Sequence, residues 1–285
     1  PKRILTTIPS RHLVSRNIEL PRMEKDEIEE ALKWELDDVL PYSADNTTFD
    51  YIITEEGEET NNILLIAAQE EVVDQYRQPF LDIGFKPEVI NIQPMALVSL
   101  LSYQNKLNSP SIIVDLGHQG TRVVLADRKN LYLSRTIDSG GQDFTNNIID
   151  THQLEYREAE EYKWNNGIEN IGNEAAASLE EDISLMGIGN DLLNIAKNIV
   201  DEISRSLEFY SIKHRGENID KLFLTGGSSL LNGIVEMIEE ETGIKAEIID
   251  PFAGFEVKTD FDSNFNNIFT VAAGLGASEV LHDES

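Results

Sequence analysis

The stretch SIIVDLGHQGTRVVLAD, residues 111–127, places two apolar runs on either side of a glycine-containing turn. The first run ends in an acid, Asp115, and both runs are rich in the β-branched residues that favour strands. A β-hairpin accounts for this pattern without any ligand. Such a turn can also bind a phosphate, because its successive N–H groups attract anions and glycine lets the anion approach the backbone. Taken alone the stretch favours the plain hairpin.

Two further glycine turns in the chain bear on this choice. The segment LTGGSSLLNGI, residues 224–234, ends an apolar strand in a glycine pair. Its serine pair is predicted to cap a helix from about Ser229 to Glu241. Another glycine pair, at 140–141, precedes a further predicted helix. A helix N-terminus adds the positive end of its dipole to such turns. The three turns together favour a phosphate site.

The composition is strongly acidic. The 285 residues include 52 acidic and 23 basic side chains, a net charge of −29, and no cysteine. This charge repels nucleic-acid phosphates and anionic lipid, so nucleic-acid binding is disfavoured. The lack of cysteine excludes disulfides and thiolate metal sites and fits a reducing cytoplasm. No apolar run approaches the roughly 20 residues of a membrane span, so direct membrane insertion is not expected.

Helical and strand-like patterns alternate along the chain, which favours an α/β class. Residues 21–41 predict a helix bounded by prolines, and strands are predicted within 47–53 and 62–68. A helix over 70–83 should be disturbed by Pro79. The apolar stripe of the first helix consists of Ile28, Leu32, Leu36 and Val39.

The C-terminal half adds one long amphipathic helix, predicted over 191–213. Acid-rich stretches such as 53–60 and 179–193 are predicted to be solvated loops and helix faces.

Several segments occur in an order typical of one superfamily. They are IVDLGHQGT, SGGQDFTNNI, AEEYK, LTGGSSLLNGI and FTVAAGLGA, and they resemble segments of actin-like ATPases. The N-terminal segments SRNIELPRM, EIEEALKWELDDVLPYS and FDYII resemble subdomain 1C of the PilM family of type IV pilus assembly proteins and of the cell-division protein FtsA. The resemblance covers nearly the whole chain, and it implies an α/β, actin-like fold with two lobes.

The resemblance also implies a division of the chain. Residues 1–109 would form lobe one, with a partial subdomain 1A at 1–12 and 69–109 and subdomain 1C at 13–68. Residues 110–285 would form lobe two, subdomains 2A and 2B, with 2B at about 146–218. Actin-like proteins carry a first phosphate-binding hairpin with a second metal-directed aspartate near the N-terminus, and no such motif precedes Asp115. We therefore expect an N-terminally truncated form with weakened nucleotide binding.

The nucleotide site implied by the resemblance takes ATP and Mg²⁺. Asp115 would hold the metal through water, in keeping with the hydration that Mg²⁺ retains in proteins. The hairpin turn would contact phosphate, the second glycine turn adenosine, and the AEEYK segment the ribose and base. Gln93 matches the position that orients attacking water, and an amide cannot act as a general base, so any hydrolysis is expected to be slow. The implied nucleotide-binding residues are Asp115, Gly117, Thr121, Gly140, Gly141, Glu160, Lys163, Gly226, Gly227 and Ser228.

Several of these residues also have an interpretation without a ligand. Asp115 can cap its own turn, Lys163 can be a surface lysine, and Gln93 can simply begin a helix. Glu202 and Arg205 lie near nucleotide-facing helices in the family, and an i, i+3 surface pair explains them equally well.

The function implied by the resemblance is a scaffold of the type IV pilus machine, located in the cytoplasm and held at the inner membrane through its partners. Its implied partners are the N-terminal tail of the membrane protein PilN, bound in the cleft between subdomains 1A and 1C, and other inner-membrane platform proteins. Self-association is a further prediction. Two alternatives stay open: a nucleotide-free scaffold like the secretion protein GspL, and an active ATPase of the actin and sugar-kinase superfamily.

Overall fold

The structure is a computed structural model that describes residues 3–168, 188–258 and 263–283. The predicted stretch 179–193 lies mostly outside these ranges, as does the part of the predicted subdomain 2B between 169 and 187. The strands are β1 (Leu5–Ile8), β2 (Val14–Pro21), β3 (Thr47–Glu56), β4 (Thr60–Gln69), β5 (Val89–Ile92), β6 (Ser111–Leu116), β7 (Thr121–Ala126), β8 (Leu131–Ile137), β9 (Leu222–Thr225) and β10 (Ala246–Ile248). The α-helices are α1 (Lys25–Val39), α2 (Glu70–Asp82), α3 (Gln93–Tyr103), α4 (Gly141–His152), α5 (Tyr156–Asn166), α6 (Ile188–Lys213), α7 (Ile234–Thr242) and α8 (Thr270–Asp283).

Five strands form the central sheet, in the order β10-β9-β6-β7-β8. β10, β9 and β6 run parallel, whereas β7 and β8 return as antiparallel hairpins. One face packs on α4, α5, α6 and α7 around buried Phe144, Ile199 and Tyr210, and the other face packs on α3 and α8. Because both faces are covered, β6 is an unbroken buried run. The Gly-containing turn after β6 therefore lies at the carboxyl end of the central strand of a sheet that is covered on both faces.

Helix α1 packs on a separate three-stranded antiparallel sheet of order β2-β4-β3. Its predicted stripe is confirmed, since Ile28, Leu32 and Leu36 are buried against β4. The Glu27 carboxylate accepts the N–H of Glu24 at 3.0 Å, which closes a capping box at the start of the helix. β1 and β5 form a parallel two-stranded sheet beside it.

Helices α3 and α8 cross at close range beneath the central sheet. A Cβ atom at Gly274 would lie 2.6 Å from the carbonyl carbon of Ala96 and nearer still to its oxygen, so only glycine fits this crossing. The two helices share a buried cluster with Phe223 of the central sheet and Leu64 of β4. Both predicted lobes contribute to this core, because α3 and β4 precede residue 110 and the other elements follow it.

The disturbance predicted at Pro79 does not occur. Helix α2 continues through it to Asp82. Pro79 lies in the last turn, where its fixed φ is compatible with the helix and few residues remain to be displaced.

The helix predicted from Ser229 to Glu241 is interrupted. A 3-10 turn covers Gly227–Leu230, and α7 begins only at Ile234, after Gly233 in the left-handed conformation. Ser229 Oγ donates to the carbonyl of Gly226 at 2.7 Å. The serine therefore closes the 3-10 turn and does not cap α7.

Candidate functional site

The hairpin at 111–127 forms as predicted, and its register places two opposite charges side by side. β6 and β7 pair around the turn 117–120, so Asp115 lies opposite Arg122. Arg122 Nη1 donates to Asp115 Oδ2 at 2.8 Å, and the two side chains are only 15% and 8% exposed. Burial raises the pKa of Asp115, and the Arg122 guanidinium offsets part of that rise. The charge of Asp115 therefore depends on its partner.

The turn opens onto a cavity of about 420 Å³, here called the phosphate cavity, which gathers segments from across the chain. Nine of the eleven predicted site residues line it: Gln93, Asp115, Gly117, Gly141, Glu160, Lys163, Gly226, Gly227 and Ser228. Thr121 and Gly140 do not. Thr121 Oγ1 donates to the Ser139 carbonyl at 2.8 Å, and a Cβ at Gly140 would lie 2.6 Å from the Gly117 oxygen. Both hold the hairpin against the start of α4.

Sequence reasoning missed several lining residues. They are Arg122, Trp164, Asn267 and Ile268. Arg122 carries a readable signal, because a four-residue turn sets it opposite Asp115. Trp164 directly follows the predicted Lys163. Asn267 and Ile268 precede the quoted FTVAAGLGA segment, and nothing in the sequence around them predicts that they face the cavity.

The glycines of the phosphate cavity differ in what surrounds them. Gly226 has φ +84, and a Cβ there would lie 2.5 Å from Asp115 Oδ1. A Cβ at Gly141 would lie 2.5 Å from Ser228 Oγ. At Gly227 a Cβ would meet only the Ile268 side chain, at 3.5 Å. The need for glycine at Gly226 and Gly141 therefore comes from packing within the protein, whereas Gly227 has free space on the cavity side.

The backbone N–H groups at the N-terminus of α4 are hydrogen-bonded within the protein and do not face the cavity as free donors. Gly141 N–H donates to the Gly117 carbonyl at 2.9 Å and Gln142 N–H to the His118 carbonyl at 2.7 Å. The Asp143 carboxylate accepts the Gly140 N–H at 2.8 Å. The N–H groups of the first turn of α4 thus have hydrogen-bond acceptors in the hairpin and in the Asp143 carboxylate. They are not available to an anion, so the anion site expected at this helix start is absent.

Lys163 is buried, so the surface-lysine interpretation is wrong. Its Nζ donates to Glu160 Oε1 at 2.7 Å, to Thr145 Oγ1 at 2.9 Å and to the Gly141 carbonyl at 3.2 Å. Burial by itself raises the pKa of Glu160, but hydrogen bonds from Lys163, Thr145 and Trp164 outweigh it, and the net shift is downward. All three ammonium donors are used, and the network ties α5 to α4.

Gln93 and Glu202 differ in where the structure places them. Gln93 lines the phosphate cavity at the start of α3, and its Oε1 accepts the Ser10 N–H at 3.4 Å. Its role in orienting water stays a prediction. Glu202 pairs with Arg205 on the same helix and with Arg135 of β8 at 2.8 Å, and none of the three lines the cavity. The surface-pair interpretation fits them.

The side chains around Asp115 do not fit a magnesium ion. The Asp115 carboxylate, which borders the turn, is already paired with Arg122, and a guanidinium in this position repels a divalent cation. Within the described ranges, no group of three or more metal-ligating side chains exists. Mg²⁺ usually takes one or two carboxylates together with waters and phosphate oxygens, and here both carboxylates that line the cavity in the described part of the chain are paired, Asp115 with Arg122 and Glu160 with Lys163.

A second cavity, here called the apolar groove, lies between the β2-β4-β3 sheet and the β1-β5 sheet. It measures about 340 Å³ and is lined mainly by side chains of β3, β4 and β5, including Phe49, Ile52 and Ile90, with Asp50 as its charged residue. β3 is one of the two edge strands of its sheet, so its outer backbone groups have no partner strand within that sheet. The groove lies between the segments predicted as subdomains 1C and 1A.

Solved structures of known proteins have the same fold. A PilM-PilN type IV pilus biogenesis complex matches with a TM-score of 0.78 at 22% identity, over 96% of this chain and 78% of that chain. MreB5 of Spiroplasma citri bound to AMPPNP matches with a TM-score of 0.53 at 18% identity, over 76% of this chain and 65% of that one. These likenesses show an actin-like, two-lobed fold.

Sequence comparisons lead to the same group. The cell division protein FtsA of Enterococcus hirae is 22% identical over 238 residues, which is 77% of this chain and 54% of FtsA. The chain thus spans about half the length of this curated relative. The profile of the type IV pilus assembly protein PilM family matches residues 1–277. With nearly its whole length matched, the chain belongs to the type IV pilus assembly protein PilM family.

Proposed function

We propose that this chain is a scaffold of type IV pilus assembly that binds ATP in the phosphate cavity and the N-terminal tail of PilN in the apolar groove. The observation that carries the first half is the convergence of separate segments on one cavity. The hairpin turn, the turn after β9, the starts of α3, α4 and α8, and one face of α5 all reach it. The MreB5 structure, which was solved with AMPPNP, supports a nucleotide as the occupant.

Mg²⁺ is not part of this proposal, because Asp115 is occupied by Arg122. Gln93 would orient a water beside the bound nucleotide, but its amide cannot take the proton of that water, so we expect hydrolysis to be slow. Scaffolding is therefore the main role that we infer, with ATP as a ligand.

Gly227→Val tests the nucleotide site. The substitution should lower ATP affinity by about tenfold or more, since a side chain would enter the space that the backbone leaves for the ligand. The fold should persist, because Gly227 lies outside the left-handed region and its Cβ meets only Ile268. Affinity is measured by calorimetric titration with ATP, and folding by circular dichroism.

Gly276→Val is the matched control, since Gly276 also has open space around it and lies outside the cavity. It should bind ATP as the unchanged protein does. Equal affinity of the Gly227→Val protein would contradict the assignment of this loop. If the unchanged protein binds no ATP, the GspL-like, nucleotide-free scaffold becomes the better description.

The apolar groove supports the second half of the proposal. The PilM-PilN complex shows that a protein of this fold has been solved together with PilN. An extended peptide can pair with the open edge of β3 while its apolar side chains enter the groove. Cytoplasmic tails of membrane proteins carry an excess of lysine and arginine, which suits Asp50 in the groove and the net charge of −29.

The same charge bears on attachment to the membrane. None of the helices in the described ranges has the length and apolar character that crossing a membrane requires. A surface this acidic is repelled by anionic lipid headgroups. We therefore infer that the chain works in the cytoplasm and reaches the inner membrane through PilN. Contacts with other platform proteins and self-association stay predictions.

Thr48→Trp tests the peptide site. Thr48 lines the groove and is exposed, so a larger side chain fills the groove without disturbing the core. Affinity for a labelled PilN tail peptide from the same organism should fall by about tenfold or more. Fluorescence anisotropy measures it, and Glu58→Trp in the exposed β3–β4 loop is the control. Undiminished binding by the Thr48→Trp protein would place the peptide elsewhere.

A further inference from the structure

Two cationic side chains, Arg122 and Lys163, line the phosphate cavity within the described residues. Lys163 has no donor left for a ligand, because its three N–H groups are bound to Glu160, Thr145 and the Gly141 carbonyl. Arg122 differs. It makes one hydrogen bond to the described residues, from Nη1 to Asp115, although a guanidinium has five N–H donors.

The remaining donors of Arg122 are held beside the hairpin turn. Its Nε is buried and has no hydrogen-bond partner among the described residues. The position of a Cβ on Gly117 would be 3.5 Å from Nη1, so the guanidinium lies directly beside the turn predicted to contact phosphate. An unpartnered buried donor costs free energy, and a shift of the guanidinium that brings Nε to a phosphate oxygen would satisfy it.

The balance of charges in the cavity also points to Arg122 as the group that binds phosphate. Asp115 and Glu160 are balanced by Arg122 and Lys163, so the pocket carries no surplus negative charge as it stands. A planar guanidinium can bind a carboxylate on one edge and phosphate oxygens on another. From these observations we propose that Arg122 supplies the positive charge that a metal ion would otherwise supply, so that the cavity takes a nucleoside polyphosphate in its metal-free form. This inference rests on the proposed nucleotide function.

The experiment measures ATP affinity by calorimetric titration at pH 8, once with Mg²⁺ and once with EDTA. The unchanged protein should bind equally well in both buffers, within about threefold. Arg122→Gln should lose about tenfold or more in EDTA, because a charge-assisted contact is removed. Mg²⁺ should recover part of that loss, since Asp115 becomes available to the ion. Arg135→Gln, which removes an exposed arginine outside the cavity, should behave as the unchanged protein does.

A double variant, Asp115→Asn with Arg122→Gln, guards against misfolding, because it leaves no buried charge unpaired. It should bind weakly in both buffers. The inference is overturned if the unchanged protein binds ATP only with Mg²⁺, or if the double variant keeps full affinity in EDTA. Absence of ATP binding by the unchanged protein in either buffer overturns the nucleotide function itself, and with it this inference.

Discussion

Gly274→Ala is expected to destabilise the protein by about 3 kcal/mol, although alanine is the better helix former. The added methyl group would lie 2.6 Å from the Ala96 carbonyl carbon, at the crossing of α3 and α8. Backbone atoms cannot rotate away as a side chain can. One of the two helices must therefore shift, and the buried cluster that both share loses its close packing.

Gly276→Ala in the same helix is the control for this variant. It is the same chemical change two residues further on, at an exposed position with nothing within 4 Å of the new Cβ. It should stabilise the protein by about 0.5–1 kcal/mol through helix propensity alone. Urea unfolding of both variants measures the difference. Equal effects of the two substitutions would contradict the close crossing.

Lys163→Met is expected to cost about 3 kcal/mol of the free energy of unfolding. The substitution keeps the length of the side chain but leaves the Glu160 carboxylate without its cation and the Gly141 carbonyl without one of its donors. Removing the cation costs more than the pair contributes, because the remaining Glu160 carboxylate is only 24% exposed and cannot regain full solvation.

The control for this variant is Arg157→Met in the same helix. Arg157 pairs with Glu161 four residues later, and these side chains are 90% and 63% exposed. An exposed pair of this kind contributes only about 0–1 kcal/mol. If both substitutions cost the same in urea unfolding, Lys163 does not lie in the buried network.

The effect of Lys163→Met should also depend on pH. In the unchanged protein the hydrogen bonds to Lys163, Thr145 and Trp164 outweigh burial and lower the pKa of Glu160. A lowered carboxyl pKa contributes stability above the unfolded value of about 4.3, and this contribution is lost as the pH falls through the folded value. The stability gap between the two proteins should therefore be full at neutral pH and shrink in acid.

Much of the fold could be predicted from local pattern. The stripe of α1, the paired strands after it and the hairpin at 111–127 follow from periodicity, which depends only on the chain itself. The start of α7 does not follow from periodicity. Gly233 takes the left-handed conformation, and the helix begins five residues after the predicted Ser229. A serine pair after a strand end is compatible with either a helix cap or a 3-10 turn.

The site could be predicted by position better than by role. Nine of the eleven named residues line one cavity, since the order of motifs identifies which segments converge. What each residue binds depends on contacts between distant segments. The Gly141 carbonyl determines that Lys163 turns inward, and the carbonyls of the hairpin turn determine that α4 has no free N–H groups there. No periodicity within either segment contains that information.

The shared core of α3 and α8 has a consequence for dividing the chain in the laboratory. A cut at the predicted lobe boundary, between 109 and 110, would leave Leu97 and Leu100 on one fragment and Phe223 and Ala277 on the other. Each fragment would expose the apolar surface that its counterpart covers, and such surfaces promote aggregation. We therefore expect that neither fragment folds on its own, because the buried cluster shared by α3 and α8 needs residues from both sides of the cut.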